Sequence, residues 1–138
     1  MNEKKKTICV IGLGFVGLTL SVILSKNGYF VHGVEKKQNI LNDLKKKKSH
    51  FYEPGLNNEL KKLPKNRFTF SKTIPNNSDI STYIITVGTP LNSRKKIITN
   101  YIKKTAIEIK KVLKKNDLII LRSTVKVGTT RNIVHPIL

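Results

Sequence analysis

Only one of the 138 residues is a cysteine, Cys9, which excludes an internal disulfide and a multi-cysteine metal site. The three histidines, His32, His50 and His135, have no ligand spacing between them, so no metal is expected. Acidic residues are scarce: 8 Asp and Glu face 27 Lys and Arg, for a formal charge of +19. Such an excess raises the question of a polyanion partner. The pattern argues against one. The excess is mostly Lys, it accompanies many Asn and Ile as in an AT-rich coding sequence, and it is scattered as pairs over several predicted helices. No aromatic residues alternate with the lysines as stacking platforms. The longest run, Lys45-Lys46-Lys47-Lys48, is read as a solvated helix end, so nucleic acid is not an expected partner. A basic surface would still help attract an anionic nucleotide. No apolar run approaches the roughly eighteen residues that span a bilayer, so no membrane is expected either. The charged start is followed by an apolar run broken by Gly12, Gly14 and Gly17, with no small-residue cleavage site. A signal peptide is therefore not expected, and the default location is cytoplasmic.

What is present is alternation. There is no repeat, linker or composition break, so residues 1–138 read as one domain, long enough to bury a core. Residues 7–11 form a short β-branched run suited to a buried parallel strand. Residues 15–27 predict a helix closed by Gly28, and 30–34 a second strand. A helix is predicted over 36–48, with Ile40, Leu41 and Leu44 inward and lysines outward. A loop over 49–55 leads to a short helix over 56–63, ended by Pro64. Strands follow at 67–70 and 82–87. Residues 100–115 predict an amphipathic helix with Ile102, Ala106, Ile109 and Leu113 on one stripe. A fifth strand spans 117–121, and a helix beginning at 129–133 is disturbed by Pro136. Alternating strands and helices imply an α/β fold: a doubly wound parallel sheet with helices on both faces. Such sheets bind ligands at the carboxyl ends of their strands, which singles out the loops after Ile11, Val34, Val87 and Leu121.

The first of these loops is Gly12-Leu13-Gly14-Phe15-Val16-Gly17, set between an apolar strand and a helix start. In that context Gly12 permits the tight turn, Gly14 leaves room for a pyrophosphate, and Gly17 lets helix and strand pack closely. The helix N-terminus offers free N–H groups and a positive dipole end to phosphates. An acidic residue is expected about 20 positions on, at the end of the second strand, and Glu35 stands there. Its carboxylate would accept hydrogen bonds from the adenosine ribose and repel a 2′-phosphate. That selects NAD over NADP, although Lys36 and Lys37 beside it could tolerate a phosphate. These features make the fold a Rossmann-type dinucleotide-binding domain.

Four segments narrow the reading further: Ile11-Gly12-Leu13-Gly14-Phe15-Val16-Gly17-Leu18; Tyr52-Glu53-Pro54-Gly55-Leu56; Val87-Gly88-Thr89-Pro90; and Ser123-Thr124-Val125 followed by Gly128-Thr129-Thr130. Together and in this order they resemble the UDP-glucose/GDP-mannose dehydrogenase family over nearly the whole chain. The glycine loop is shared by many dehydrogenases; the Tyr-Glu-Pro-Gly-Leu segment is much narrower. The resemblance implies that Gly12 to Gly17 cradle the pyrophosphate of NAD and that Glu35 takes the ribose. It implies that Val87, Gly88, Thr89, Pro90 and Leu91 pass along the cofactor, with Thr89 near its nicotinamide half. Ser123, Thr124 and Val125 would form the loop beside the nicotinamide, and Thr124 would help position a catalytic water. Without the family, Thr89 and Thr124 are polar residues at strand ends facing a cleft. Glu53 reads equally as a cofactor-side residue or as part of the short helix's N-cap region.

The chain departs from the family pattern at Ile40, where several relatives carry a basic residue, and at Gly88, where many have proline or asparagine. The family oxidises a sugar C6 alcohol to the acid in two NAD-dependent steps, through a cysteine-bound thiohemiacetal and then a thioester. In the family that cysteine, with its lysine, asparagine and aspartate partners, lies beyond the position of residue 138. Cys9, inside the first strand, reads as a buried small hydrophobe and not as a substitute. The expectation is the NAD-binding domain of a nucleotide-sugar 6-dehydrogenase of polysaccharide biosynthesis, the central helix and sugar-binding domain lying outside this chain. The substrate would be a UDP-sugar of the UDP-glucose or UDP-N-acetylmannosamine type, and the full-length enzyme a homodimer or larger. This chain alone would be inactive. The alternatives are a domain of a 6-phosphogluconate or 3-hydroxyacyl type dehydrogenase, against which the Tyr52 to Leu56 segment argues, and a non-catalytic nucleotide-binding module.

Overall fold

The computed structural model describes residues 7–77 and 79–138. Five strands, β1 (Thr7–Ile11), β2 (Phe30–Val34), β3 (Phe68–Ser71), β4 (Ile80–Ile85) and β5 (Leu118–Leu121), form one sheet in the order β3-β2-β1-β4-β5. Every pairing is parallel. The helices between them are α1 (Phe15–Lys26), α2 (Gln38–Lys45), α3 (Leu56–Lys62) and α4 (Asn100–Lys110). A π-wound turn over Thr130–Val134 leads into a last short helix, α5 (His135–Ile137). The expected doubly wound sheet is present.

Both faces of β1 are buried, which explains why its sequence does not alternate with polar residues. Val10 points to one core with Leu18 and Val22 of α1, Ile40 and Leu44 of α2, and Leu56 and Leu60 of α3. Cys9 and Ile11 point to the other, with Tyr83 and Ile85 of β4 and Ile102, Ala106 and Ile109 of α4. Each such aliphatic side chain, fully withdrawn from water, contributes about 1.5–3 kcal/mol. The inner stripes expected on α2 and α4 are the buried ones, except that Leu113 lies past the end of α4 and is partly buried. Among the described residues no helix is long and apolar enough to cross a membrane.

Several ends differ from the sequence reading, each for a local reason. The helix predicted over 36–48 starts only at Gln38, because the Glu35 carboxylate captures the Lys37 N–H at 3.0 Å and holds the chain in a turn. It stops at Lys45, where Lys47 turns left-handed at φ 57° and the Lys48 N–H reaches back to the Asp43 carbonyl. β4 lies two residues earlier than expected, since Ile80 already pairs with Thr7 and the partner strand β1 ends at Ile11. α4 ends at Lys110, and the chain reverses at Asn116, φ 71°. β3 is displaced by one residue, and β5 starts one residue later than predicted.

β1 leads through α1 to β2 on one side, whereas the chain after β3 crosses to β4 on the other side of β1. The winding direction therefore changes between β1 and β4. A crevice opens at the carboxyl ends of those two strands.

Candidate functional site

The crevice is a cleft of about 790 Å³, a volume suited to a bound cofactor. Its walls come from the loops after four strands: Gly12, Gly14, Phe15 and Val16; Glu35, Lys36 and Lys37; Thr86, Val87, Gly88 and Thr89; Arg122, Ser123 and Thr124. Tyr101, Lys104, Thr105 and Glu108 of α4 complete one side, with Ile40 and His50.

The three glycines of the first loop are needed for different reasons. Gly12 stands at φ +94°, and a Cβ there would come within 2.9 Å of the Thr86 carbonyl and of Val87. A Cβ on Gly17 would collide with the Gly12 carbonyl at 1.8 Å, so only glycine lets α1 begin this close to β1. Gly14 is otherwise: its φ is −73°, open to any residue, and a Cβ there meets nothing within 4 Å. The fold does not require a glycine at that position, while the open space lies on the cleft wall. α1 starts beside it without a side-chain cap, so the backbone N–H groups of its first turn are offered to the cleft.

Glu35 lies at the end of β2 and is anchored twice. The Leu13 N–H donates to Oε2 at 3.1 Å and the Lys37 N–H to Oε1 at 3.0 Å. Each oxygen keeps lone-pair capacity for a further donor. Lys36 places its ammonium 2.9 Å from both oxygens of Glu108 on α4.

Opposite, the loops after β4 and β5 are tied together. The Thr89 hydroxyl donates to the Thr124 carbonyl at 2.9 Å, and the Ser123 hydroxyl to the Val87 carbonyl at 2.7 Å. The Thr86 hydroxyl donates to the Gly12 carbonyl at 2.7 Å, joining this side to the glycine loop. Phe15 stacks on Phe51 with ring centroids 4.1 Å apart, which ties the loop before α3 to the start of α1.

Of the residues singled out from sequence, Gly12, Gly14, Phe15, Val16, Glu35, Val87, Gly88, Thr89, Ser123 and Thr124 come together on the cleft wall. Five others do not line it. Leu13 is fully buried, its side chain lying where a Cβ on Gly33 would reach, and it faces the site only through its N–H. Gly17 is buried under the loop. Pro90 is exposed, Leu91 bridges to Ile97, and Val125 packs against the second core. Glu53 does not line the cleft and lies in the turn that leads into α3. The N-cap is Gly55 at φ 81°, and the Glu53 carbonyl accepts the Leu56 N–H in the turn before it. Ile40, one of the departures noted from the family pattern, lines the cleft and is buried in the first core.

Sequence reasoning missed Thr86, Lys104 and Glu108. Thr86 read as an ordinary strand residue, and Glu108 faces the cleft only because α4 packs across it. Cys9 carries no reactive thiolate: burial pushes its thiol up to about 12. Burial lowers the pKa of His32, whose ring nitrogens bond the hydroxyls of Thr69 and Ser71 at 2.8 and 2.7 Å.

The comparisons with known proteins agree with this architecture. The family model described as "UDP-glucose/GDP-mannose dehydrogenase family, NAD binding domain" matches residues 6–138. UDP-N-acetyl-D-mannosamine dehydrogenase of Campylobacter jejuni is 38% identical over 131 residues, 94% of this chain and 31% of that protein. NDP-N-acetyl-D-galactosaminuronic acid dehydrogenase of Ralstonia nicotianae is 31% identical over 93% of this chain and 30% of its own length. Among solved structures, the UDP-N-acetyl-mannosamine dehydrogenase of Staphylococcus aureus superposes with a TM-score of 0.89. It is 27% identical and covers 96% of this chain and 32% of its own. A GDP-mannose dehydrogenase ternary complex from Pseudomonas aeruginosa gives 0.86 at 28% identity, over 94% of this chain and 31% of that one. The chain thus spans about a third of the length of the relatives it matches. The match favours this family over the 6-phosphogluconate and 3-hydroxyacyl types. The chain belongs to the UDP-glucose/GDP-mannose dehydrogenase family, of which it carries the NAD-binding domain.

Proposed function

We propose that this chain is the cofactor-holding part of a nucleotide-sugar 6-dehydrogenase, and that the cleft over β1 and β4 is where NAD lies. The observation that carries this is Gly14. Backbone geometry and packing leave room for any side chain there, yet the position borders the uncapped start of α1, where a pyrophosphate would need the space. NAD, when bound, supplies the hydride acceptor. The chain's own groups hold and orient it. The first-turn N–H groups of α1 bind phosphate oxygens. Glu35, held by the Leu13 and Lys37 N–H groups, keeps free lone pairs for the ribose hydroxyls and a negative charge against a 2′-phosphate. Thr89 and Ser123, through their bonds to the facing loop, set the width of the nicotinamide end. Thr124, exposed on that wall, orients a water there.

The substrate we infer is a UDP-sugar of the N-acetylmannosamine or glucose type, with the thiol nucleophile and most sugar contacts supplied from outside these residues. Cys9 does not serve, being buried in β1 with its thiol held protonated. The test is to incubate the purified chain with NAD and each nucleotide sugar while following NADH absorbance. No turnover here, and turnover in a longer protein containing this chain, is the expected pair of results. Turnover by this chain that disappears in Cys9→Ser would contradict the assignment.

A further inference from the structure

One ion pair on the cleft wall joins elements distant in sequence. Lys36 follows directly on Glu35, and its ammonium sits 2.9 Å from both carboxylate oxygens of Glu108 on α4. All three residues line the cleft. At the end of the cleft at β2, the cation that directly follows Glu35 is thus already held by a second carboxylate, that of Glu108. The pair is accessible to water, with side chains 55% and 34% exposed, so its charges act on whatever binds beside it.

NADP differs from NAD by one phosphate on the adenosine ribose. A basic side chain near the end of the second strand is what accommodates that group in domains that accept NADP. Lys36 has the position and the charge for this. Left free, it would offset Glu35 and admit the phosphate. We propose that Glu108 is a second specificity-determining residue: by engaging Lys36 it withdraws that cation from the ribose end, and its own carboxylate adds to the repulsion from Glu35. This inference rests on the reading of the cleft as the NAD site. It goes beyond that reading by taking the choice between cofactors away from Glu35 alone. Lys37 and Lys104 also line the cleft and form no ion pair among the described residues. Both are present in the parent and in every variant compared, so they do not alter the differences between variants.

The test is calorimetric titration of NAD and NADP into the unmodified protein and into Glu108→Gln, Lys36→Met and the double variant. Freeing one cation and removing one anion beside a solvated phosphate raises the NADP-to-NAD affinity ratio about fivefold in Glu108→Gln. In the Lys36→Met background the same substitution has no cation to release, so its effect on the ratio is smaller. Equal shifts for both cofactors, or an undiminished effect without Lys36, would overturn the inference while leaving NAD binding intact. A Gly14→Val variant that still binds NAD would overturn the cleft reading itself, and this inference with it.

Discussion

The hydroxyl of Thr86 donates to the carbonyl of Gly12 at 2.7 Å, with the Ile11 carbonyl 3.0 Å away. One side chain at the end of β4 thus fastens the glycine loop at the end of β1, across the point where the sheet reverses its winding. Thr86→Val keeps the shape and removes the donor, leaving the Gly12 carbonyl without it. The expected cost is about 1 kcal/mol of stability and a several-fold loss of NAD affinity, with Thr86→Ser close to the original. Denaturant unfolding and calorimetry measure the two effects. A valine variant that binds NAD as well as the parent would mean that the loop needs no such clamp.

Lys47 closes α2 in a left-handed conformation, φ 57°, that costs a residue with a Cβ about 1 kcal/mol. Lys47→Gly should raise the unfolding free energy by roughly that amount, less what glycine gains in the unfolded chain. Unchanged or lower stability would show that the lysine side chain stabilises the turn in some other way.

The Tyr83 hydroxyl is buried with no hydrogen-bond partner among the described residues, and its pKa is pushed up to about 12 by burial first, then by Asp117 and Cys9. Removing a polar atom that has lost its water and found nothing in return is expected to be neutral or stabilising by up to about 1 kcal/mol. Tyr83→Phe tests this by thermal unfolding. A clear drop in melting temperature would mean that the hydroxyl has a partner.

His32 gives the fold a pH dependence. Burial lowers its pKa, and the Thr69 and Ser71 hydroxyls occupy both ring nitrogens. The folded chain therefore favours the neutral ring, and the unfolded chain takes up the proton first as pH falls through about 6.5. The contribution is present above that pH and is lost on acidification. Comparing unfolding free energies at about pH 7.5 and about pH 5.5 should show a smaller drop in His32→Gln than in the parent. Equal drops would mean that the folded protein binds the proton as readily as the unfolded one.

Most of the architecture was legible because it rests on local signals. β1 and β2 are bounded by the glycine loop, by Gly28 and by Glu35, and their predicted limits are the observed ones. What escaped was set by contacts distant in sequence. The start of α2 depends on where the Glu35 carboxylate finds its donors, and the limits of β4 depend on where β1 stops. Glu108 and Thr86 have no motif around them; they belong to the site through bonds to Lys36 and Gly12, more than seventy residues away. The motif assigned Gly12 to the turn, Gly14 to the approach of a pyrophosphate and Gly17 to helix–strand packing. The packing has the same division: a Cβ would collide at Gly12 and Gly17 and meets nothing at Gly14.

That open position offers the most direct measurement. Gly14 has a backbone conformation any residue adopts and no neighbour within 4 Å of a Cβ, so Gly14→Val should leave the far-UV circular dichroism and the unfolding midpoint nearly unchanged. If the pyrophosphate of NAD lies against this residue and the start of α1, calorimetry will show binding to the parent and none to the valine variant. Binding of NAD to a folded Gly14→Val protein with parental affinity would contradict the account.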